Sequence, residues 1–141
     1  MGNHNNREVF YKGIKFDSVL ERNAYRQLEF LKVEFTFHEK TFQLYEGYHT
    51  KAWSSRTRKI YKSKVTSRVY TPEFIILDKG REIIIEMKGF RTAAFNLRWD
   101  IFRKGLEPNQ EAYLIKTVPE LTFLIQTLNI KSRIKKPKIN L

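Results

Sequence analysis

The chain has 141 residues, and its 41% apolar and 14% aromatic content indicates one folded domain with a single core and excludes an intrinsically disordered chain. Its 27 lysines and arginines against 15 acidic residues give a formal net charge of +12, which favours a polyanionic partner, nucleic acid first. The absence of cysteine excludes disulfides and cysteine-ligated zinc, so metal chemistry is expected from carboxylates and hard cations.

The first part of the chain predicts a strand, a helix and a second strand. Val9–Lys15 has the residues of a short strand, broken by Gly13, and apolar residues at helical spacing predict a helix over Val19–Lys32. Phe35–Tyr45 is rich in aromatic residues, which favour strands.

A strongly basic segment follows. Tyr48–Arg68 holds seven lysines and arginines and no acidic residue, with Trp53 and Tyr61 among them. We interpret it as an extended loop or protruding hairpin, in which cations follow a phosphate backbone and the rings contact bases or sugars. The alternative is a solvated charged surface without a ligand. The predicted DNA contacts of this segment are Arg56, Arg58, Lys59, Lys62, Lys64 and Arg68.

Two apolar runs come next. Tyr70–Leu77 and Glu82–Lys88 are predicted strands, and the Asp78-Lys79-Gly80 sequence between them indicates a three-residue hairpin turn. We therefore expect the two strands to be antiparallel neighbours.

The rest of the chain alternates helix, strand and helix, with Thr92 as a helix N-cap and Gly105 as a stop signal. These elements are predicted over Ala93–Lys104, Glu111–Lys116 and Pro119–Leu128. The full order describes a mixed sheet with helices on its faces, an α/β or α+β fold. We expect one domain over residues 1–128, with a basic insertion at about 48–68, and a basic C-terminal arm over residues 129–141.

Two short motifs lie in the predicted hairpin. Pro72-Glu73 is followed, after twelve residues, by Glu86-Met87-Lys88. Side chains alternate along a strand, so Glu86 and Lys88 share one face, and the turn brings Glu73 back towards them. Such charges on an apolar strand carry a heavy desolvation cost unless they are paired or hold a metal ion. The alternative is a set of surface charges that pair across the two strands.

The pattern resembles the PD-(D/E)xK nuclease superfamily, which includes restriction enzymes, Holliday junction resolvases and small phage endonucleases. The resemblance covers roughly residues 10–118 and implies a restriction-endonuclease-like α/β fold, a single domain with a mixed β-sheet core flanked by helices. It also implies Mg²⁺, with Mn²⁺ as a substitute, held by Glu73, Glu86 and the backbone carbonyl of Met87. Lys88 would be catalytic, positioning a water molecule or helping to deprotonate it.

Glu21 belongs to the same resemblance. The stretch from Phe16 to Glu21 is similar to the part of small phage endonucleases in which a helical glutamate completes the metal site, so Glu21 is a further catalytic and metal-binding candidate. Ser18 and Glu21 also have the spacing of a helix capping box, and the two roles are compatible. Glu73 departs from the family pattern, where aspartate is commoner, and this longer side chain puts metal preference and turnover in doubt.

Two arginines beyond the Glu-x-Lys motif are further DNA-binding candidates, because related nucleases often place a cation there to touch the phosphate. They are Arg91 and Arg98, of which Arg98 has the alternative of extending from an amphipathic helix into solvent.

The expected function is therefore a Mg²⁺-dependent DNA endonuclease, phage-encoded and selective for branched DNA or Holliday junctions, acting as a homodimer in recombination, replication or packaging. No apolar run approaches the ~20 residues of a membrane span, so we expect no membrane partner and a location in the cytoplasm, that of the host if phage-encoded. A DNA-binding subunit that no longer cuts is the main alternative. An RNA-binding or ribosome-associated protein would explain the charge but not the Glu-x-Lys strand.

Overall fold

The computed structural model describes residues 8–132, in which ten strands and three helices follow the α/β pattern that the sequence predicts. The strands are β1 (Val9–Tyr11), β2 (Ile14–Phe16), β3 (Phe35–Phe37), β4 (Phe42–Tyr45), β5 (Tyr48–Ser54), β6 (Lys59–Val65), β7 (Arg68–Tyr70), β8 (Phe74–Asp78), β9 (Arg81–Met87) and β10 (Gln110–Ile115). The helices are α1 (Val19–Phe30), α2 (Ala93–Lys104) and α3 (Val118–Thr127).

The central sheet has four strands in the order β10-β9-β8-β3. β9 runs antiparallel to β8 and parallel to β10, and β3 pairs antiparallel with β8, so the sheet is mixed as predicted. A parallel pair needs a crossover, and α2 supplies it between β9 and β10. β8 and β9 are central because they are apolar on both faces.

Helices cover both faces of this sheet. On one face α1 and α3 pack through Leu28 and Leu121 against Ile83 and Ile85. On the other face α2 packs against a second cluster, built from Ile75, Ile84, Phe95, Trp99 and Phe102. Full burial of each such side chain is worth about 1.5–3 kcal/mol. The alternation along β9 therefore divides the core into two layers.

Two predicted strands are each divided in the structure. Phe35–Tyr45 was expected as one strand, but β3 joins the central sheet and β4 pairs with β7 in a separate sheet of two strands. Tyr70–Leu77 is divided in the same way, since Pro72 and Glu73 separate β7 from β8. The two divided strands are each other's partners, because β3 pairs with β8 and β4 pairs with β7. The two breaks therefore lie opposite each other, and both chain segments pass there from one sheet to the other.

The turns correct two further expectations. Val9–Lys15 is a hairpin of β1 and β2, not one interrupted strand. The turn between β8 and β9 has two residues, not three, because Asp78 pairs with Arg81. In both hairpins a Lys-Gly pair at the turn has positive φ at both residues, the conformation of tight turns that match strand twist.

The basic segment forms the hairpin of β5 and β6, one of the two predicted possibilities. It packs almost only on itself and is a sheet of its own. Gly47 stands at its base, where an added Cβ would lie 2.9 Å from the Val65 carbonyl oxygen.

The fold continues slightly past Leu128. Ile130 is buried in the core, and the Lys131 amide donates to Asp78 Oδ1 at 3.2 Å. The remainder of the predicted basic arm, residues 133–141, lies outside the described residues. In the described part of the chain no helix is long and apolar enough to cross a membrane.

Candidate active site

Glu73 and Glu86 meet where β8 begins and β9 ends. The register pairs Phe74 with Ile85, so Glu73 and Glu86 stand next to this pair on adjacent strands. Glu73 Oε2 accepts a hydrogen bond from the Met87 amide at 2.8 Å, and Glu86 Oε2 accepts one from the Glu73 amide at 3.3 Å. Each carboxylate is thus held by the backbone of the other strand.

Glu86 is also bound by a tyrosine. The Tyr70 hydroxyl donates to Glu86 Oε2 at 2.6 Å, and the Tyr70 ring packs on Phe102 and Trp99 of α2. Burial, with the Glu86 charge, raises the pKa of Tyr70, so its hydroxyl keeps its proton. Tyr70 thereby ties the carboxylate to the aromatic cluster beneath it.

Glu21 joins the pair from α1. Ser18 caps this helix and accepts a hydrogen bond from the Glu21 amide at 3.1 Å, which is half of a capping box. The Glu21 carboxyl does not complete the box but lies 3.1 Å from His38 Nε2. Only 3% of Glu21 is exposed to solvent, so its side chain faces inwards. The capping geometry therefore aims a carboxyl group at the sheet.

His38 follows β3 in a strained position. Its φ is 49°, in the left-handed region, and its amide donates to the Glu73 carbonyl at 2.9 Å. A non-glycine residue in that region costs on the order of 1 kcal/mol and persists only where its surroundings hold it. From this position the imidazole Nε2 lies 3.1 Å from Glu21 Oε1.

The buried carboxyl groups repel one another. Burial, with the charges of Asp17 and Glu86, raises the pKa of Glu21 to about 7. Burial and the Glu86 charge raise the pKa of Glu73, and burial raises that of Glu86. In the described part of the chain neither Glu73 nor Glu86 has a cationic side chain within 4 Å. Ionisation of all three carboxyl groups would therefore place repelling charges together in this site.

Lys88 lies at the border of the site. Its ammonium group is 4.6 Å from the centre of the Phe95 ring, and its amide donates to the Ile115 carbonyl at 2.9 Å. Within residues 8–132 it forms no ion pair with a carboxylate. The opposite side of β9, with Ile83, Ile85 and Met87, is buried in the core as predicted.

One pocket of about 460 Å³ is lined by these carboxyl groups together with His38 and Lys88, and we call it the acidic pocket. The structure brings together every residue predicted for catalysis and metal binding, Glu21, Glu73, Glu86, Met87 and Lys88, and their roles remain predictions. Tyr70, His38 and Asp17 were not predicted. Tyr70 stands three residues before Glu73 in the same run, which is the only sequence signal for it. His38 carries no such signal, because its place depends on the division between β3 and β4.

The donor groups of the pocket suit a hard divalent cation in their chemistry, because they are carboxylate and carbonyl oxygens. Such a cation would relieve the repulsion between Glu73 and Glu86. Among residues 8–132, however, no three His, Cys, Asp or Glu side chains are already arranged as a metal-binding group. Glu73 and Glu86 instead bind backbone amides and Tyr70.

The predicted DNA-binding residues are spread over two surfaces, and none of them forms an ion pair in the described part of the chain. Six belong to the hairpin and the strand after it: Arg56, Arg58, Lys59, Lys62, Lys64 and Arg68. Lys62 stands opposite Lys51, and like charges placed directly opposite each other are unfavourable.

Arg91 and Arg98 lie on the second surface, near α2. Both are exposed, and Arg91 lines two cavities beside the acidic pocket. The Arg98 charge opposes the rise in the pKa of Tyr70, so it lies within electrostatic reach of the site.

Comparison with known proteins gives one match. The profile of a family described as "Protein of unknown function (DUF1064)" matches residues 1–121. No curated protein and no solved structure matches the chain.

Proposed function

The chain belongs to the DUF1064 family of proteins of unknown function, and because that family brings no activity with it, we propose from the pocket that the protein is a metal-dependent DNA endonuclease of the PD-(D/E)xK type. The observation that carries the proposal is the meeting of Glu73 and Glu86 beside Glu21, buried and without a cationic partner. Such an arrangement is costly in a purely structural role. It suits a site that receives a divalent cation and a phosphate.

Mg²⁺, or Mn²⁺ in its place, would be held by Glu73, Glu86 and the Met87 carbonyl, with Glu21 completing the site. When bound, the ion would polarise the phosphate and lower the pKa of a water molecule. The chain itself supplies orientation, because Tyr70 and the backbone amides fix the carboxylates. Tyr70 and the Glu73 amide both donate to Glu86 Oε2, which fixes the orientation of this carboxylate.

Lys88 is the cation nearest to the reaction in this proposal. Its ammonium group would leave the Phe95 ring, reach the phosphate and stabilise the charge that develops in the transition state. The exposed hairpin of β5 and β6 would bind the DNA backbone away from the pocket. Its lack of acidic residues removes repulsion along that path.

The finer proposal is a phage-encoded enzyme of the cytoplasm that cuts branched DNA, such as Holliday junctions, as a homodimer in recombination, replication or packaging. A single site of this kind cuts one strand, so two copies are needed for a double-strand cut. This part depends on the resemblance of the Pro72-Glu73 and Glu86-Met87-Lys88 motifs to those of such enzymes.

The direct test uses the full chain with Mg²⁺ or Mn²⁺ on linear, nicked, flapped and four-way DNA. We expect cleavage by the wild type, and none above background with Glu86→Gln or Lys88→Ala, because the first loses a ligand charge and the second the cation at the phosphate. Glu34→Gln is the matched control, since Glu34 is exposed and its side chain forms no ion pair within residues 8–132. Either pocket variant cutting at the wild-type rate would refute the role assignment.

A non-cutting DNA-binding subunit is the second candidate. The observation in its favour is that the described residues contain no ready metal-binding group, while Lys88 rests on Phe95. In that case the wild type binds DNA in the same assays but leaves every substrate intact with both metals.

A further inference from the structure

The carboxyl ends of β9 and β10 form an edge next to the acidic pocket. These strands are parallel. The amide of Lys88, the residue after β9, donates to the carbonyl of Ile115, the last residue of β10. In sheets of this kind, ligands bind in the crevice beyond the carboxyl ends of parallel strands. The chain segments that leave this edge, at residues 88–91 and at Lys116, are therefore placed to bind a ligand.

A cavity of about 500 Å³ occupies this edge. It shares Lys88, Gly89 and Phe90 with the acidic pocket, so the two are adjacent. Its lining has three cations, Lys88, Arg91 and Lys116, and no acidic residue. We call this cavity the cationic groove. The acidic pocket thus borders a surface of the opposite charge.

Arg91 and Lys116 supply exposed charges to the cationic groove. Both side chains are exposed, and neither forms an ion pair in the part of the chain that the structure describes. The Lys116 amide is bound by Glu120 Oε2, which fixes the backbone there while leaving the ammonium group available. The groove therefore presents unneutralised cations, which favour an anionic ligand.

Phe90 marks the boundary between the pocket and the cationic groove. It lines both, and at 79% exposure it is the most exposed large apolar side chain among the described residues. An exposed ring beside cations can stack on a base of a bound nucleic acid, because bases stack on aromatic side chains irrespective of sequence.

We propose that the cationic groove binds one strand of the nucleic acid as it leaves the acidic pocket. Arg91 and Lys116 contact its phosphates, and Phe90 stacks on an unpaired base at the boundary. The substrate class that follows is DNA with a single-stranded segment next to the cleavage position, such as a flap, an overhang or an opened branch. This inference rests on the proposed function, and it adds the path of one strand and a requirement for an unpaired base.

The test is equilibrium binding by fluorescence anisotropy with the full chain in EDTA, which prevents cutting. The probes are a labelled single-stranded oligonucleotide, a blunt duplex and the same duplex with a single-stranded overhang. For Phe90→Ala we expect about tenfold weaker binding to the two probes with unpaired bases and a change within about twofold on the blunt duplex. Phe90→Trp keeps the stacking surface and should bind as the wild type does.

The cations are tested by the double variant Arg91→Ala/Lys116→Ala. On the single strand each lost phosphate contact reduces the slope of log affinity against log salt by about 0.7, so we expect a reduction of about 1.4. Phe123→Ala and Lys79→Asn are matched controls. Phe123 is an exposed ring on α3, and Lys79 lies in the turn at the opposite end of β9. Asparagine tolerates the positive φ at that position.

The outcomes separate the inference from the proposed function. Weaker binding by Phe90→Ala and by Arg91→Ala/Lys116→Ala, with both control variants unchanged, supports the proposed path of the strand through the cationic groove. Wild-type binding by the Phe90 and groove variants, while the wild type itself binds DNA, overturns the inference and leaves the proposed function standing. Failure of the wild type to bind any of the probes overturns the inference, while the proposed function is judged separately by the cleavage assay on branched DNA.

Discussion

Glu73 shows at the scale of one residue how the site differs from an ordinary strand end. Its carboxyl is held by the Met87 amide, yet burial and the Glu86 charge raise its pKa. A hydrogen bond to the charged form would lower the pKa, so desolvation and repulsion outweigh it here. A cation bound beside this carboxyl group would reverse that balance.

The raised pKa values of Glu21 and Glu73 predict how stability depends on pH. The folded chain keeps these protons after the unfolded chain has lost them near the ordinary value of 4.5. Their stabilisation is therefore complete below about pH 4.5 and is lost as pH rises through about 7 for Glu21 and higher for Glu73. We expect the free energy of unfolding in EDTA to fall by at least about 3 kcal/mol between pH 5 and pH 9, because Glu21 alone contributes two pH units at about 1.4 kcal/mol each.

Urea unfolding at several pH values measures this dependence. Glu73→Gln should flatten it, because the amide does not ionise, whereas the exposed control Glu34→Gln should leave it unchanged. Mg²⁺ should restore more stability at pH 8.5 than at pH 5.5, since it binds the ionised form. A metal-free stability that stays level or rises over this range would contradict the assignment of buried, mutually repelling carboxyl groups.

The hairpin of β5 and β6 is the element for which the positive charge most directly predicts DNA binding. A two-stranded hairpin has little stability of its own, and this one carries Lys51 opposite Lys62 as well as the exposed rings of Trp53 and Tyr61. These features disfavour the hairpin in isolation and favour it on a polyanion.

Replacing Arg56, Arg58 and Lys59 together with alanine tests this element. Each lost phosphate contact should reduce the slope of log affinity against log salt by about 0.9 on duplex DNA, hence by up to about 2.7 for three contacts. Binding should weaken equally on unrelated sequences, while cleavage at saturating DNA should change little, because the pocket is untouched. An unchanged slope would make the hairpin a solvated surface and leave DNA binding to the cationic groove.

Sequence patterns served well for elements whose neighbours are close in the chain. The bounds of α2 follow from Thr92 and Gly105, and the pairing of β8 with β9 follows from the short turn between apolar runs. The division between β3 and β4 was not predictable, because it depends on the pairing of β4 with β7, more than twenty residues away. His38 was missed for the same reason, since only that division turns its ring towards Glu21.

For the whole molecule, the proposed homodimer gives a further prediction. In the proposed homodimer each chain contributes one acidic pocket, so a dimer with one Glu86→Gln copy should nick a symmetric four-way junction in one strand only. Mixed with an excess of the inactive variant and allowed to exchange subunits, the wild type should yield mainly nicked product, measured on a supercoiled cruciform plasmid. Product that remains cut in both strands at every mixing ratio would mean that the two cuts do not require a paired subunit.

Gly47 packs against backbone atoms at the base of the hairpin of β5 and β6, where a small change in angle moves the far end. The seven residues of β5 extend about 23 Å, so tilting the base by only 5° would displace the far end by about 2 Å. A methyl group at position 47 would meet the Val65 oxygen and the Ser67 nitrogen, both backbone atoms that cannot simply rotate aside. A side chain at position 47 would therefore shift the basic end of the hairpin, although no hairpin residue lines the acidic pocket within residues 8–132.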